Sequence, residues 1–160
     1  MSGKNQVIQV QIRRILPTRA GCAVFLGNEE KTFVIYVDPF VGSAIAMQMS
    51  DVKRDRPQTH DLIGSMLNAF GSTIERVVIN DFRDSVFFAR MILQLTNEVQ
   101  EKMIIELDAR PSDSIVLALQ AKCPLYVAVS VWDAMEYMSE ILSKIEDKES
   151  DFETGEWSGD

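Results

Sequence analysis

At 160 residues the chain has the length of one domain, and its 46% hydrophobic content is enough to build a core. Its formal charge is −8, but Glu146–Asp160 sets seven acids against Lys148, so −6 of the total lies there and −2 remains for everything before it. A long basic surface is therefore excluded, and no apolar run approaches the roughly 18 residues of a membrane span or forms the apolar stretch of a secretory signal. The two cysteines, Cys22 and Cys123, form no CxxC pair and sit in apolar surroundings, which points to reduced thiols in a cytoplasmic protein.

Val7–Leu16 alternates apolar and polar residues and reads as a half-buried strand. Cys22–Gly27 and Lys31–Val37 follow as a hairpin. A short helix is predicted over Gly42–Met49, after Asp38-Pro39, and a charged loop over Asp51–Gln58. Leu62, Met66, Leu67 and Phe70 share one face of a helix that starts near Thr59 and stops at Gly71. Three strands are predicted over Glu75–Phe82, Ser85–Leu95 and Lys102–Asp108, then a helix from about Ser112 and a short strand over Pro124–Val129. A last helix opens at Ser130 with Asp133 three residues on, and carries the stripe Val131, Met135, Met138, Leu142 and Ile145. Glu146–Asp160 has no periodicity and is expected to be a disordered acidic tail after a domain spanning residues 1–145.

An offset of 70 lays Asp38 on Asp108, Ile45 on Ile115, Met47 on Leu117 and Met49 on Leu119. The expected fold is α+β, built from two similar strand-strand-strand-helix halves that share one core, with a C-terminal helix.

Polar residues cluster at the predicted junctions. One cluster holds Arg54, Asp55, Arg56, Thr59, His60 and Asp61; a second holds Asn80, Asp81, Arg83 and Asp84; a third holds Asp108, Arg110, Ser112 and Asp113. Each has a structural explanation. Thr59 and Ser112 are natural N-caps, Asp61 and Asp113 suit the positive end of a helix dipole, and Asp81–Ser85 suits a hairpin turn. A cap needs only one oxygen, however, and the third cluster brings two acids and an arginine within six residues. Asp108 and Asp113 are a potential ligand pair for a divalent metal, magnesium or manganese. Arg110 has the planar fork that grips phosphate, and His60 can carry protons. Those are the parts of metal-assisted phosphodiester cleavage. No Walker A loop, GxGxxG, HExxH or GxSxG motif is present.

The stretches RPQTHDL (Arg56–Leu62), INDFRDSVFFARMIL (Ile79–Leu93), LDARPSDSIVLAL (Leu107–Leu119) and CPLYVAVSV (Cys123–Val131) resemble the bifunctional nuclease domain family. The similarity covers Val7 to Met138. It implies a compact domain of α and β elements with nuclease activity on DNA and RNA. It also implies functional positions at Arg56, Thr59, His60 and Asp61, at Asp81 and Asp84, and at Asp108, Arg110, Ser112 and Asp113. Two departures stand out. Val41-Gly42 replaces a frequent Glu-Ala pair at the start of the first helix, and Ser85 replaces a glycine after the second acidic turn.

The expected function is hydrolysis of nucleic-acid phosphodiesters. Its catalytic set is His60, Asp61, Asp81, Asp108, Arg110 and Asp113, with Arg56, Thr59 and Ser112 on the substrate. The rival reading is a non-catalytic regulatory or binding module in which the same acids and arginines are internal ion pairs. A homo-oligomer, in its simplest form a dimer, is also expected, with the Met-rich last helix packing on another copy.

Overall fold

The computed structural model describes residues 6–135. In chain order these form β1 (Val7–Pro17), β2 (Cys22–Gly27), β3 (Thr32–Val37), α1 (Pro39–Met49), α2 (Thr59–Ala69), β4 (Ser72–Arg83), β5 (Val86–Thr96), β6 (Lys102–Ala109), α3 (Pro111–Ala121), β7 (Leu125–Ala128) and α4 (Val129–Ala134). The class is α+β, as the segregated strands of the sequence suggested. No described helix is long and apolar enough to cross a membrane.

All seven strands share one sheet in the order β3-β2-β1-β7-β4-β5-β6. Two antiparallel meanders run outward from β7, which pairs antiparallel with β1 and parallel with β4. Turn chemistry sets the hairpins. Asn28 Oδ1 accepts the amides of Glu30 and Lys31 between β2 and β3. Asp84 and Ser85 both take positive φ, 50° and 63°, which is the two-residue loop whose twist matches its strands. The glycine expected at position 85 is thus replaced by a side chain held in the left-handed region.

The sheet curls. Phe33 of β3 and Phe87 of β5, from nearly opposite ends of the strand order, stack with centroids 5.8 Å apart, and Trp132 of α4 meets Phe33 edge-on at 6.3 Å. Lys31 Nζ donates to the Trp132 carbonyl and lies over its ring. Inside the curl, Leu26, Phe33, Val77, Ile79 and Val127 meet Ile45 of α1 and Ile115 and Val116 of α3, all fully buried. Each such side chain contributes about 1.5–3 kcal/mol. The alternation that made β4 and β5 legible as strands places Val77, Ile79, Ala89, Met91 and Leu93 on this inner face.

The helix starts differ from those the sequence suggests. α1 begins at Pro39, not Gly42, because Asp38 Oδ1 accepts the Val41 amide at 2.9 Å and Pro39 presets the first turn. Gln58 rather than Thr59 precedes α2, with the Gln58 amide donating to Asp61 Oδ2 at 2.8 Å. Arg110, not Ser112, occupies the N-cap of α3, with Pro111 first in the helix. Ala128, not Ser130, precedes α4. Gly71, at φ 71°, follows the end of α2 as expected. Met138, Leu142, Ile145 and the acidic tail lie outside the described residues. The caps of α1 and α3 pair Asp38 with Arg110, two residues away from the match of Asp38 with Asp108.

Gly42 allows α1 to lie directly on β2. A β-carbon there would stand 2.4 Å from Cys22 Sγ and 2.7 Å from its Cβ. The alanine of the family pattern does not fit this chain while Cys22 is present. Gly42→Ala is expected to lower stability by about 1–3 kcal/mol in thermal melts, and Cys22→Ala should recover part of that loss.

Candidate functional site: a cleft with a linked arginine, aspartate and histidine

A cleft of about 1060 Å³ opens between the starts of α1, α2 and α3. Its walls come from consecutive local decisions of the chain. Asp38 ends β3 and caps α1, the Pro57-Gln58 pair leads into α2, and Ala109 ends β6 before Arg110 turns the chain into α3. Met91, Ile63 and Leu117 form an apolar floor.

Four polar residues are linked across it. Arg110 Nε donates to Asp113 Oδ2 at 2.8 Å, and His60 Nε2 lies 2.9 Å from Asp113 Oδ1. Arg110 also lies 3.9 Å from Asp38 Oδ2. The first and third sequence clusters, 53 residues apart at His60 and Asp113, are therefore in direct contact. A carboxylate only accepts, so His60 Nε2 carries a proton and Nδ1 is the nitrogen that can exchange one. No described residue engages Nδ1. Gln120 Nε2 donates to the His60 carbonyl at 3.1 Å and ties the histidine to α3.

Burial pushes the Asp113 carboxyl up, but the hydrogen bonds from Arg110 and His60 and their charge prevail and hold it below the usual carboxylate range. The bond and charge of Asp113 in turn raise the Arg110 guanidinium, whose side chain is 65% exposed at the mouth of the cleft.

The other expected residues are placed as follows. Thr59 lines the cleft; Arg56 is exposed and absent from its wall. Asp61 turns to Arg54 at 2.8 Å and to the Gln58 amide, which lowers its pKa; it clasps the start of α2. Asp81 pairs with Arg83 at 2.8 Å and accepts the Phe82 amide at a bulge of β4, and it lines no part of the cleft. Ser112 is buried and borders a second cleft of about 360 Å³ that runs from Arg110 and Asp38 to Ser85 and Phe87. Ser85, next to the second cluster, borders this cleft together with Arg110, whereas Asp81 does not.

Asp108 departs most from expectation. Ala109 faces the cleft and pairs with the fully buried Ala89. The preceding residue of a strand points to the opposite face, so Asp108 sits beside Arg90 on the other side of the sheet. Three contributors are additional to the expected catalytic and substrate-binding set. In the sequence Asp38 stood out only as the residue before Pro39 and as the match of Asp108 at the offset of 70. Phe40, 88% exposed at the cleft, and Gln120 left no signal of their own in the sequence. Val41, which stands where the family pattern has glutamate, is a buried part of the cleft wall.

Residues 24–140 match the model of the bifunctional nuclease domain. The chain belongs to the bifunctional nuclease domain family. Two curated relatives are uncharacterized proteins of Mycobacterium tuberculosis, from strains CDC 1551 / Oshkosh and ATCC 25618 / H37Rv. Each is 33% identical over 104 residues, which is 65% of this chain and 58% of the relative. The family match spans the cleft-forming starts of α1, α2 and α3, so the linked His60, Asp113 and Arg110 all lie within it.

Proposed function

We propose that the chain hydrolyses phosphodiester bonds of DNA, RNA or both in this cleft. The carrying observation is the Asp113–His60 contact beside an exposed Arg110. Asp113 fixes the imidazole through Nε2, so His60 Nδ1 takes the proton of the attacking oxygen or returns one to the leaving oxygen. Arg110 swings its fork onto a phosphate, with Asp38 limiting its range. Phe40 offers a ring on which a neighbouring base can stack.

Asp108 and Asp113 do not fit a magnesium or manganese ion between them. They lie on different sides of β6, and both oxygens of Asp113 are taken by cationic or proton-bearing groups. The steps above use the chain's own groups alone. Two further readings belong to this proposal. The two half-buried thiols support a cytoplasmic location, and burial, which pushes the Cys123 thiol up, suits an unreactive group. Strand order running outward as β1, β2, β3 and as β4, β5, β6 supports two related halves.

The test is cleavage of labelled single-stranded DNA, duplex DNA and RNA by the purified chain, with manganese, with magnesium and with EDTA. Cleavage of at least one substrate, lost in Arg110→Ala, is the expected result. A parent protein that cuts none of the three under any of these conditions would overturn the reading.

A further inference from the structure

The two edges of the sheet are treated differently. The open edge of β3 faces the β4–β5 hairpin tip, and the second cleft lies between them. The other edge, β6, has no such neighbour among the described residues. Natural proteins blunt such an edge with proline, bulges or several lysines. β6 has none of these: it pairs with β5 without a register shift from Ala89–Ala109 to Thr96–Lys102, and Lys102 is its only basic residue. It also exposes Met103 (61%), Ile104 (55%) and Leu107 (40%). α2 ends beside it: Gly71 accepts the amide of Thr96, the β5 partner of Lys102, and Phe70 just before it is 76% exposed.

The order of side chains along β6 is self-complementary when reversed. Laid antiparallel on a second copy with Ile105 on the two-fold axis, Lys102 faces Asp108, Met103 faces Leu107 and Ile104 faces the stem of Glu106. Opposite charges and apolar side chains thus meet their like-sized partners twice each. Centring the axis on Ile104 shortens the ladder, and centring it on Glu106 sets that acid against itself. We infer that β6 pairs with β6 of a second copy of this chain, in the register centred on Ile105, and joins two sheets edge to edge. An isologous contact of this kind closes at two copies. It also gives Asp108 a role outside the cleft, as the cross-strand partner of Lys102, and it does not depend on the nuclease reading.

The test is the mass of the full chain by light scattering after gel filtration, from about 1 to 100 µM, where a moderate dimer dissociates measurably. The parent is expected at twice its 18.1 kDa. Lys102→Asp and Asp108→Lys, each creating two like-charge pairs, should each raise the dissociation constant about tenfold or more. The double variant Lys102→Asp/Asp108→Lys should restore dimerisation, with far-UV circular dichroism confirming that all variants fold. A monomeric parent throughout, single variants that dimerise as the parent does, or a double variant that stays weakened would each overturn the inference.

Discussion

Replacing His60 with alanine is expected to lower kcat for nucleic-acid cleavage by about 10²–10⁴-fold, the usual contribution of a positioned acid or base. Asp113 holds Nε2 of the imidazole and leaves Nδ1 to react. Stability should change little by comparison, by about 1 kcal/mol, since Asp113 keeps its bond to Arg110. A variant that cleaves as fast as the parent would remove His60 from the mechanism, whatever else the cleft does.

Asp113→Ala should be the more disruptive change, because one carboxylate serves two partners. Arg110 loses the acceptor that aims it, and His60 loses the group that fixes its ring. Hydrogen bonds to charged groups and the partial exposure of this pair put the stability loss at about 1–3 kcal/mol, with activity falling at least as far as in His60→Ala. Asp113→Asn separates the two effects: an amide oxygen can serve one of the two partners but not both, so folding should recover more than kcat. The acid response follows from the same carboxylate. Its folded pKa is depressed, so the unfolded chain binds the proton more readily, and the stabilisation is present above the ordinary value of 3.8 and lost as pH falls through the folded one. Urea melts between about pH 6 and pH 2 should therefore show a smaller acid loss for Asp113→Ala than for the parent. If the variant unfolds badly while the parent cleaves nothing, the cluster is a set of internal ion pairs and not a reaction centre.

β4, β5 and β7 were legible because apolar residues recur on their buried face, and the apolar runs of β2 and β3 were legible because nearly all of their residues are buried. The starts of α2, α3 and α4 were read late because the residues that fill their caps are Gln58, Arg110 and Ala128, which do not announce themselves as caps. Asp38 before a proline is a cap signal that went unread, and with it the start of α1 and one corner of the cleft. Within the third cluster, closeness along the chain was mistaken for closeness in space. Period-two alternation in β6 already separates Asp108 from Ala109, and the turn at Arg110 then breaks the pattern before Asp113. The contact of His60 with Asp113 depends on α2 crossing to the start of α3, and no spacing in the sequence encodes that crossing.

None of the eleven residues of α2 is buried, whereas seven of α3 are. The helix that carries His60 is held by a clasp at its start, by contacts with α3 and β4, and by the bond from Gln120 to the His60 carbonyl, where Gly64 leaves room for the Gln120 amide. Its free energy of local opening is correspondingly small beside that of the sheet. The wall of the cleft that carries His60 is thus its least buried one, and amide exchange is expected to be faster along α2 than along α3 or the central strands.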